Sequence, residues 1–397
     1  MFNRRMKTIT LKKFKDKLAR NKNPWLFSGA IQSAEKGIVN GEAVAVLDSD
    51  KRFVAYGFYS EHSAIAVRLF SWDEEEKFGT DTFKNRLSGA AAARKRLINR
   101  ENTDSFRLLY GEADGLPGYV ADIYNGHVSL QVNTASAVHY LPMMKDALIN
   151  AVSPLSIYVR PADELAKKEL IKYQEQCIHG ETPDSIIIKE NGLKISASLK
   201  SGQKTGYYFD QRENRRIAAQ YAEGQDVLDC FCYTGGFSLN AAANGAKRIT
   251  SVDSSADALT NLKENFRLNG FNAPETTKAD IFDYLRERNA DSVKHDIVIL
   301  DPPKLAKSQS AVDQALRAYK DLNMLGLKKV KNNGMFFSFS CSGRVSREDF
   351  IKSIAWATKD AGRTLRITGF LSQSGDHPIN PFFPESEYLK GIVGIVE

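Results

Sequence analysis

Cys341 is the residue whose type and sequence setting best suit nucleophilic chemistry. It lies in the polar segment Ser340-Cys341-Ser342-Gly343, directly after an apolar run at 334–339 that predicts a buried strand. Carbon 5 of cytosine is a poor nucleophile, and a thiolate that adds to carbon 6 would activate it. A cysteine is more often a buried core residue, but the polar segment favours a position facing a cleft. We therefore predict that Cys341 is a nucleophile.

A second candidate is the segment Asp301-Pro302-Pro303-Lys304, which follows a predicted strand at 295–300. A carboxylate on a proline-stiffened loop is a fixed acceptor that can hold the edge of a base. The alternative is an ordinary turn that ends a strand. Because the segment is the fourth in a series of strand ends, we predict a catalytic role for Asp301 and substrate contacts for Pro302, Pro303 and Lys304.

That series consists of acidic residues that follow successive strands in the C-terminal half. They are Asp229, with the turn Thr234-Gly235-Gly236, then Asp253, Asp280 and Asp301. In a parallel sheet the ligand lies at the carboxyl ends of the strands. A dinucleotide would require a G-x-G-x-x-G turn for its pyrophosphate, which this sequence lacks. S-adenosyl-L-methionine has no phosphates and needs only close backbone approach and an acid for its ribose, so it is the predicted cofactor.

The elements that must position these residues belong to an α/β domain. From about residue 192 strands and helices alternate, which predicts a parallel, doubly wound sheet. Ser254 or Ser255 is expected to cap the helix after Asp253. The predicted strands of this region lie at 226–231, 249–253, 295–300 and 334–339.

The preceding residues have a different pattern. Short strands rich in β-branched and aromatic residues, at 7–11, 42–47, 53–59 and 64–70, predict a small barrel. A central α+β region follows, with a hairpin around Asn125-Gly126 and a helix near 138–151. We therefore expect domains at 1–75, 104–190 and 191–397, with a helical linker at 76–103.

Charge and composition limit the class of protein. Nine Lys or Arg lie between Arg4 and Lys22 against one acid, Asp16, in a chain of net charge +7. Such a strip is either a solvated face or a site for a phosphate backbone. The four scattered cysteines predict neither a zinc cluster nor disulfides, and no long apolar run or signal segment is present. A cytoplasmic protein without a metal is expected.

These motifs together resemble the bacterial 23S ribosomal RNA large subunit methyltransferase I family. The resemblance covers nearly the whole chain and departs from the family pattern at Cys232, where Ser is frequent, and around Val159-Arg160-Pro161. Its motifs are Asn23-Pro24-Trp25-Leu26-Phe27-Ser28-Gly29, Gly111-Glu112-Ala113-Asp114-Gly115-Leu116-Pro117-Gly118, Lys204-Thr205-Gly206-Tyr207-Tyr208-Phe209-Asp210-Gln211-Arg212, Phe231-Cys232-Tyr233-Thr234-Gly235-Gly236-Phe237, Asp301-Pro302-Pro303-Lys304 and Phe339-Ser340-Cys341-Ser342-Gly343.

The resemblance implies an N-terminal PUA domain, a central α+β domain and a C-terminal Rossmann-like methyltransferase domain. It implies RNA as the partner, 5-methylcytosine as the product and Cys341 as the nucleophile, and it leaves a homodimer open. The cofactor contacts expected from it are Lys204, Thr205, Tyr207, Phe209, Asp210, Gln211, Phe231, Thr234, Gly235, Asp253, Ser254, Asp280 and Asp301.

The expected reaction has two alternatives. Asp301 would bind a flipped cytosine near N3 or N4 while Cys341 attacks carbon 6. A nitrogen methyltransferase is the first alternative, although such enzymes usually have an aromatic residue where this chain has Lys304. The second is an RNA-binding protein without activity, against which the acids at the strand ends argue.

Overall fold

The structure is a computed structural model that describes residues 6–161, 169–171, 173–200, 206–287, 293–306 and 308–397. In these ranges the chain forms two compact units. The first contains residues up to Lys189 with Ala197–Phe209 and Gly375–Ser386, and the second contains Glu190–Ser196, Asp210–Ser374 and Glu387–Glu397. No helix in the described ranges has the length and apolar character that a membrane crossing requires.

A mixed sheet forms the N-terminal part of the first unit. Its elements are β1 (Lys7–Leu11), α1 (Lys17–Arg20), β2 (Trp25–Phe27), β3 (Ile31–Ala34), β4 (Ala43–Leu47), β5 (Phe53–Tyr59) and β6 (Ile65–Ser71). The strands lie in the order β2-β6-β5-β4-β1-β3, with β1 and β4 parallel. Val44, Val46 and Val67 are buried in its core, as the β-branched runs predict. The four predicted strands are confirmed to within one residue, whereas β2 and β3 were not predicted.

The rest of the first unit is α+β. Its elements are α2 (Thr80–Leu97), β7 (Phe106–Tyr110), β8 (Tyr119–Tyr124), β9 (His127–Val132), α3 (Ala135–His139), α4 (Leu141–Val152), β10 (Ser156–Pro161) and β11 (Gln176–Gly180). The strands are ordered β11-β10-β9-β8-β7. Asn125 and Gly126 have φ angles of 45° and 86°, which confirms the predicted two-residue hairpin.

The hairpin of β12 (Ile186–Glu190) and β13 (Leu193–Ala197) contains the first residues of the second unit, Glu190–Ser196. Its remaining elements are α5 (Arg212–Ala219), β14 (Asp226–Cys230), α6 (Gly236–Ala243), β15 (Arg248–Asp253), α7 (Ala256–Leu268), β16 (Glu275–Lys278), α8 (Ile281–Glu287), β17 (His295–Leu300), α9 (Val312–Lys328), β18 (Val330–Ser340), α10 (Arg347–Ala361), β19 (Leu365–Ser372) and β20 (Lys390–Val396). Strand and helix alternate as predicted, and Ser255 caps α7 by accepting from the Ala258 amide at 3.2 Å.

The main sheet of this unit has the order β16-β15-β14-β17-β18-β20-β19. The strands from β16 to β18 pair in parallel, and β20 is antiparallel to both neighbours. The expected parallel sheet therefore carries one antiparallel strand. Because β15 and β17 lie on opposite sides of β14, the chain reverses its direction of winding there, and the carboxyl ends of β14 and β17 border a crevice.

Candidate active site

The turn after β14 has an unusual backbone. Phe231 and Tyr233 have φ angles of 63° and 50°, in the left-handed region that side chains other than glycine rarely adopt. Gly235 has φ 82° and is the N-cap residue of α6, and a Cβ atom there would lie 2.5 Å from Cγ of Leu262. Backbone strain of this kind is concentrated at ligand sites, where the surrounding structure maintains it. The turn therefore brings its backbone close to whatever occupies the crevice.

Asp253, at the end of β15, holds this turn in place. Its Oδ2 accepts a hydrogen bond from the Tyr233 amide at 2.9 Å, and its Oδ1 accepts one from the Ser255 amide at 2.9 Å. Each carboxylate oxygen can accept a second bond. The half-buried carboxylate can therefore join the two strand ends and still accept bonds from the hydroxyls of a ribose.

Two buried polar atoms at the same turn have no hydrogen-bond partner among the described residues: Oδ1 of Asp229 and Oγ1 of Thr234. The other carboxylate oxygen of Asp229 accepts from the amide and hydroxyl of Ser238, at 3.0 and 2.6 Å. Burial raises the pKa of Asp229 to about 7. A buried acceptor without a partner costs free energy, and the ammonium group of S-adenosylmethionine would satisfy it. These residues thus fit the predicted cofactor.

Asp280 and Ser254 are exposed at neighbouring positions of the sheet edge. Asp280 follows β16, and its Oδ1 accepts from the amides of Phe282 and Asp283 at 2.9 and 3.2 Å. It therefore begins α8 as a capping residue. Ser254 lies between Asp253 and the capping residue Ser255.

The segment after β17 is bonded to the segment after β18. The half-buried thiol of Cys341 lies 3.7 Å from the carbonyl oxygen of Pro302. The hydroxyl of Ser342 accepts from the Ala306 amide at 3.1 Å and is 3.0 Å from the hydroxyl of Tyr319. The structure therefore brings together the two segments that were predicted to be catalytic.

The residues of the first of these segments differ in exposure. Asp301 is half-buried and its amide is 3.4 Å from the carbonyl oxygen of Cys230, at the adjacent end of β14. Pro302 is buried, and Pro303 and Lys304 are exposed. Exposure therefore increases along the segment from Pro302 to Lys304, and contact with a substrate stays a prediction.

The other cysteines have different environments. Cys230 and Cys232 are buried in the second unit, and burial raises the pKa of both thiols. Cys230 is the last residue of β14, one residue before the predicted end of that strand, and Cys232 lies in the turn that follows. Cys177 is exposed on β11 of the first unit. The reactive form of cysteine is the thiolate, and of the three cysteines in the second unit Cys341 is the one that is not buried.

Residues of the segment 204–211 were predicted to contact the cofactor, and their positions do not test that prediction. Lys204 and Thr205 lie outside the described residues. Within the first unit, the Tyr207 amide donates to the Tyr124 hydroxyl at 2.8 Å, and the ring of Phe209 lies 4.9 Å from that of Tyr124.

Two further members of that segment belong to the second unit. Asp210 accepts from the Tyr388 hydroxyl at 2.6 Å, and Gln211 accepts from the Asn214 side chain at 2.6 Å. These bonds order the backbone where the second unit resumes. A role for the segment in cofactor binding stays a prediction.

Sequence reasoning missed the residues that support the Cys341 segment. Tyr319, in the middle of α9, bonds to Ser340 and Ser342, and Lys390 donates to the Ser342 carbonyl. Tyr319 had no signal beyond its helical position. Lys390 had one, because a lysine that opens the apolar run of β20 is an unusual buried residue.

Comparison with known proteins first shows the class of protein. The profile of a PUA-like domain family matches residues 9–72, and that of an S-adenosylmethionine-dependent methyltransferase family matches residues 171–330. Two solved structures share the fold at 21% identity, covering 98% of this chain and all of the other: SMU.776 complexed with SAH, with a TM-score of 0.86, and a methyltransferase from Streptococcus mutans, with 0.84. The fold class and the cofactor, S-adenosylmethionine, are confirmed.

Relatives of known name then define the family. Ribosomal RNA large subunit methyltransferase I of Alteromonas mediterranea is 38% identical over 97% of this chain and 98% of its own length. The enzymes of that name from Aeromonas hydrophila and Aeromonas salmonicida are each 39% identical with the same coverage. The chain belongs to the ribosomal RNA large subunit methyltransferase I family.

Proposed function

We propose that this methyltransferase modifies carbon 5 of a cytosine in large-subunit (23S) ribosomal RNA through a covalent bond between Cys341 and carbon 6. The observation that carries the proposal is the position of the Cys341 thiol, 3.7 Å from the carbonyl of Pro302 and half-buried at the sheet edge. The choice of RNA is supported by the names of the relatives and by the PUA-like domain.

The residues at the sheet edge divide the work of holding the cofactor. Asp253 would bind the ribose hydroxyls and Asp280 the adenine amino group. Asp229 and Thr234 offer buried acceptors without partners among the described residues to the methionine part. The turn at Gly235 lets this part approach the backbone, and S-adenosylmethionine supplies the methyl group when bound. Further contacts from Phe231, Ser254 and Asp301, and from Tyr207, Phe209, Asp210 and Gln211, are part of the proposal.

The chain's own residues then carry out the steps on the base. Cys341 loses its proton and forms a bond from Sγ to carbon 6, which moves the electrons of the 5,6 double bond towards carbon 5. Asp301 hydrogen-bonds the base near N3 or N4 and stabilises the resulting charge distribution. After methylation of carbon 5, loss of its proton restores the double bond and breaks the bond from Sγ to carbon 6.

The buried support of the Cys341 segment suits this chemistry. Ser340 and Ser342 on either side of Cys341 both bond to the Tyr319 hydroxyl, at 2.9 and 3.0 Å. Burial raises the pKa of Tyr319 to about 12, so the hydroxyl stays protonated and neutral. A fixed segment keeps the thiol in position for attack without reorganisation.

The experiment is to trap the covalent intermediate. Large-subunit RNA containing 5-fluorocytosine at the target should form a stable adduct with the wild-type protein, because fluorine cannot leave carbon 5 as a proton does. Cys341→Ala should form no adduct and should lose methylation, while binding of S-adenosylmethionine and RNA remains near normal. Cys177→Ala, which removes an exposed thiol, and Cys230→Ala, which removes a buried one, are the matched controls and should keep the adduct.

Three results would contradict the proposal. Near-normal methylation by Cys341→Ala would make the cysteine structural and favour a nitrogen methyltransferase, which needs no thiol. An adduct mapped to another cysteine would keep the reaction but assign its nucleophile elsewhere. Wild-type protein that binds RNA and never methylates it would support the RNA-binding alternative.

A further inference from the structure

Lys390 is a nearly fully buried lysine beneath the Cys341 segment. It opens β20 and is paired with Ser340 of β18 in the antiparallel register. Only 3% of the residue is exposed, and its Nζ donates to the carbonyl oxygen of Ser342 at 2.9 Å. The ammonium group therefore lies within the second unit, next to the backbone that carries Cys341.

A charge in this place is costly. Burial lowers the pKa of Lys390 to about 8, because the charged form loses its hydration. The following residues of β20, including Ile392 and Val393, are buried and apolar, so an apolar side chain would suit the strand at position 390 without that cost. At neutral pH, below this pKa, the amine is still mainly protonated. The cost indicates that the charge has a local use.

Holding the Ser342 carbonyl does not by itself require a charge. The same segment is already held by the neutral hydroxyl of Tyr319, which bonds to both neighbouring serines. Any neutral N–H group at position 390 could donate to the carbonyl as well. The charge must therefore be explained by the groups that it faces.

Among the described residues, the charged or titratable groups that act on Lys390 include Glu387, Arg347 and Cys341. Glu387 and Arg347 form an ion pair with each other at 2.6 Å, so the acid is already balanced. From β19 the paired residue is Ser372, which is neutral. Cys341 lies between Ser340, which is paired with Lys390 across the strands, and Ser342, whose carbonyl accepts from Nζ of Lys390, so its thiol is close to this charge.

We propose that the Lys390 ammonium favours the thiolate form of Cys341 and positions its segment, so that Lys390 is an electrostatic positioning residue for the nucleophile. The inference rests on the proposed function in taking Cys341 as the nucleophile. No bond to Lys390 forms or breaks. The thiol proton passes to solvent, and the ammonium stabilises the charge that remains on Sγ through its proximity in a buried setting.

The experiment measures the reactivity of Cys341 without RNA. Full-length protein carrying Cys177→Ser is alkylated with iodoacetamide between pH 5.5 and pH 10, and the modified Cys341 peptide is quantified by mass spectrometry. Lys390→Gln keeps a hydrogen-bond donor but removes the charge, whereas Lys390→Arg keeps the charge. Tyr319→Phe is the matched control, because it removes an anchoring bond from the same segment without altering charge.

Lys390→Gln should shift the alkylation profile by about one pH unit to higher pH, and lower the rate at pH 7 about tenfold, since the rate follows the thiolate fraction. Lys390→Arg and Tyr319→Phe should keep the wild-type profile. A folded Lys390→Gln protein with the wild-type profile would overturn the proposal. If Lys390→Gln does not fold, a shift of the same size in Lys390→Arg would overturn it.

The result is separable from the proposed function. A shifted alkylation profile together with no 5-fluorocytosine adduct would sustain the role of Lys390 and remove cytosine C5 as the target. An adduct at Cys341 together with an unshifted profile would support cytosine C5 as the target and overturn the role of Lys390.

Discussion

Asp253 has two purposes in the proposed site, one structural and one in binding the ligand. Its oxygens accept from the amides of Tyr233 and Ser255, which orders the strained turn after β14 and the start of α7. The same oxygens have remaining lone pairs for a ribose. Removal of this carboxylate should therefore affect both the preorganisation of the cleft and the direct contact with the ligand.

We expect Asp253→Ala to weaken the binding of S-adenosylmethionine or its demethylated product more than tenfold, because the ribose hydroxyls lose an acceptor worth about 1.5–3 kcal/mol as a charged hydrogen-bond partner. Isothermal titration calorimetry gives the affinities. Asp257→Ala, an exposed acid in the first turn of α7, is the control and should bind normally. Wild-type affinity in Asp253→Ala would remove Asp253 from the site.

At the scale of residues, the sequence predicted which acids lie at the strand ends but not the bonds they make. The types of Asp253, Asp301 and Cys341, and their positions after apolar strands, are local properties of the chain. The left-handed backbone of Phe231 and Tyr233 has no such signal, since neither residue type favours it. The bond from Lys390 to Ser342 joins positions 48 residues apart, and it requires knowledge of which strands pair.

Among the elements, the connection between β14 and α6 contains three of the proposed cofactor contacts, Phe231, Thr234 and Gly235. Gly235 adopts φ 82° with its Cα facing the side chain of Leu262 on α7. A side chain at position 235 would therefore cost free energy for two separate reasons, the backbone conformation and the packing against α7.

Gly235→Ala should lower the melting temperature and reduce cofactor affinity, because the added methyl group would lie 2.5 Å from Leu262 and force α7 or the turn to move. Gly270→Ala is a matched control: its φ is 73°, and nothing lies within 4 Å of the added atom. The control should lose only the backbone contribution, about 1–2 kcal/mol, and keep cofactor binding. Equal effects in the two variants, measured by calorimetry with and without cofactor, would show that Leu262 is irrelevant.

The sequence predicted helices and strands well where the local hydrophobic periodicity is enough to identify them. The helix expected near 138–151 is two helices, α3 and α4, since Pro142 in the first turn of α4 favours a new start there. The strands β19 and β20 were missed. Their alternating and apolar patterns are visible, but the insertion of β20 between β18 and β19 with reversed direction depends on tertiary pairing rather than on a local pattern.

In the molecule as a whole, the basic residues expected to bind RNA and the acids expected to bind the cofactor lie in different units. The basic strip between Arg4 and Lys22 includes Lys12, Lys13, Lys15 and Lys17, which are exposed in the first unit. Phe14 within it is 81% exposed and has Lys13 5.2 Å from its ring centroid. The acids of the proposed cofactor site belong to the second unit. Phosphate binding and cofactor binding should therefore be separable by mutation.

Replacing these four lysines by Gln should flatten the dependence of RNA affinity on salt, because a protein that makes fewer phosphate contacts releases fewer counterions. Each lost contact should reduce the slope of log affinity against log salt concentration by about 0.7–0.9. Fluorescence anisotropy with large-subunit RNA fragments between 50 and 300 mM salt measures the slope. The affinity for S-adenosylmethionine, measured by calorimetry, should be unchanged. The control replaces four exposed lysines of the second unit, Lys247, Lys278, Lys328 and Lys359, by Gln. It changes the net charge equally, so a difference between the two variants reports the position of the charge rather than its total. An unchanged slope in the first variant would mean that the strip is only a solvated face.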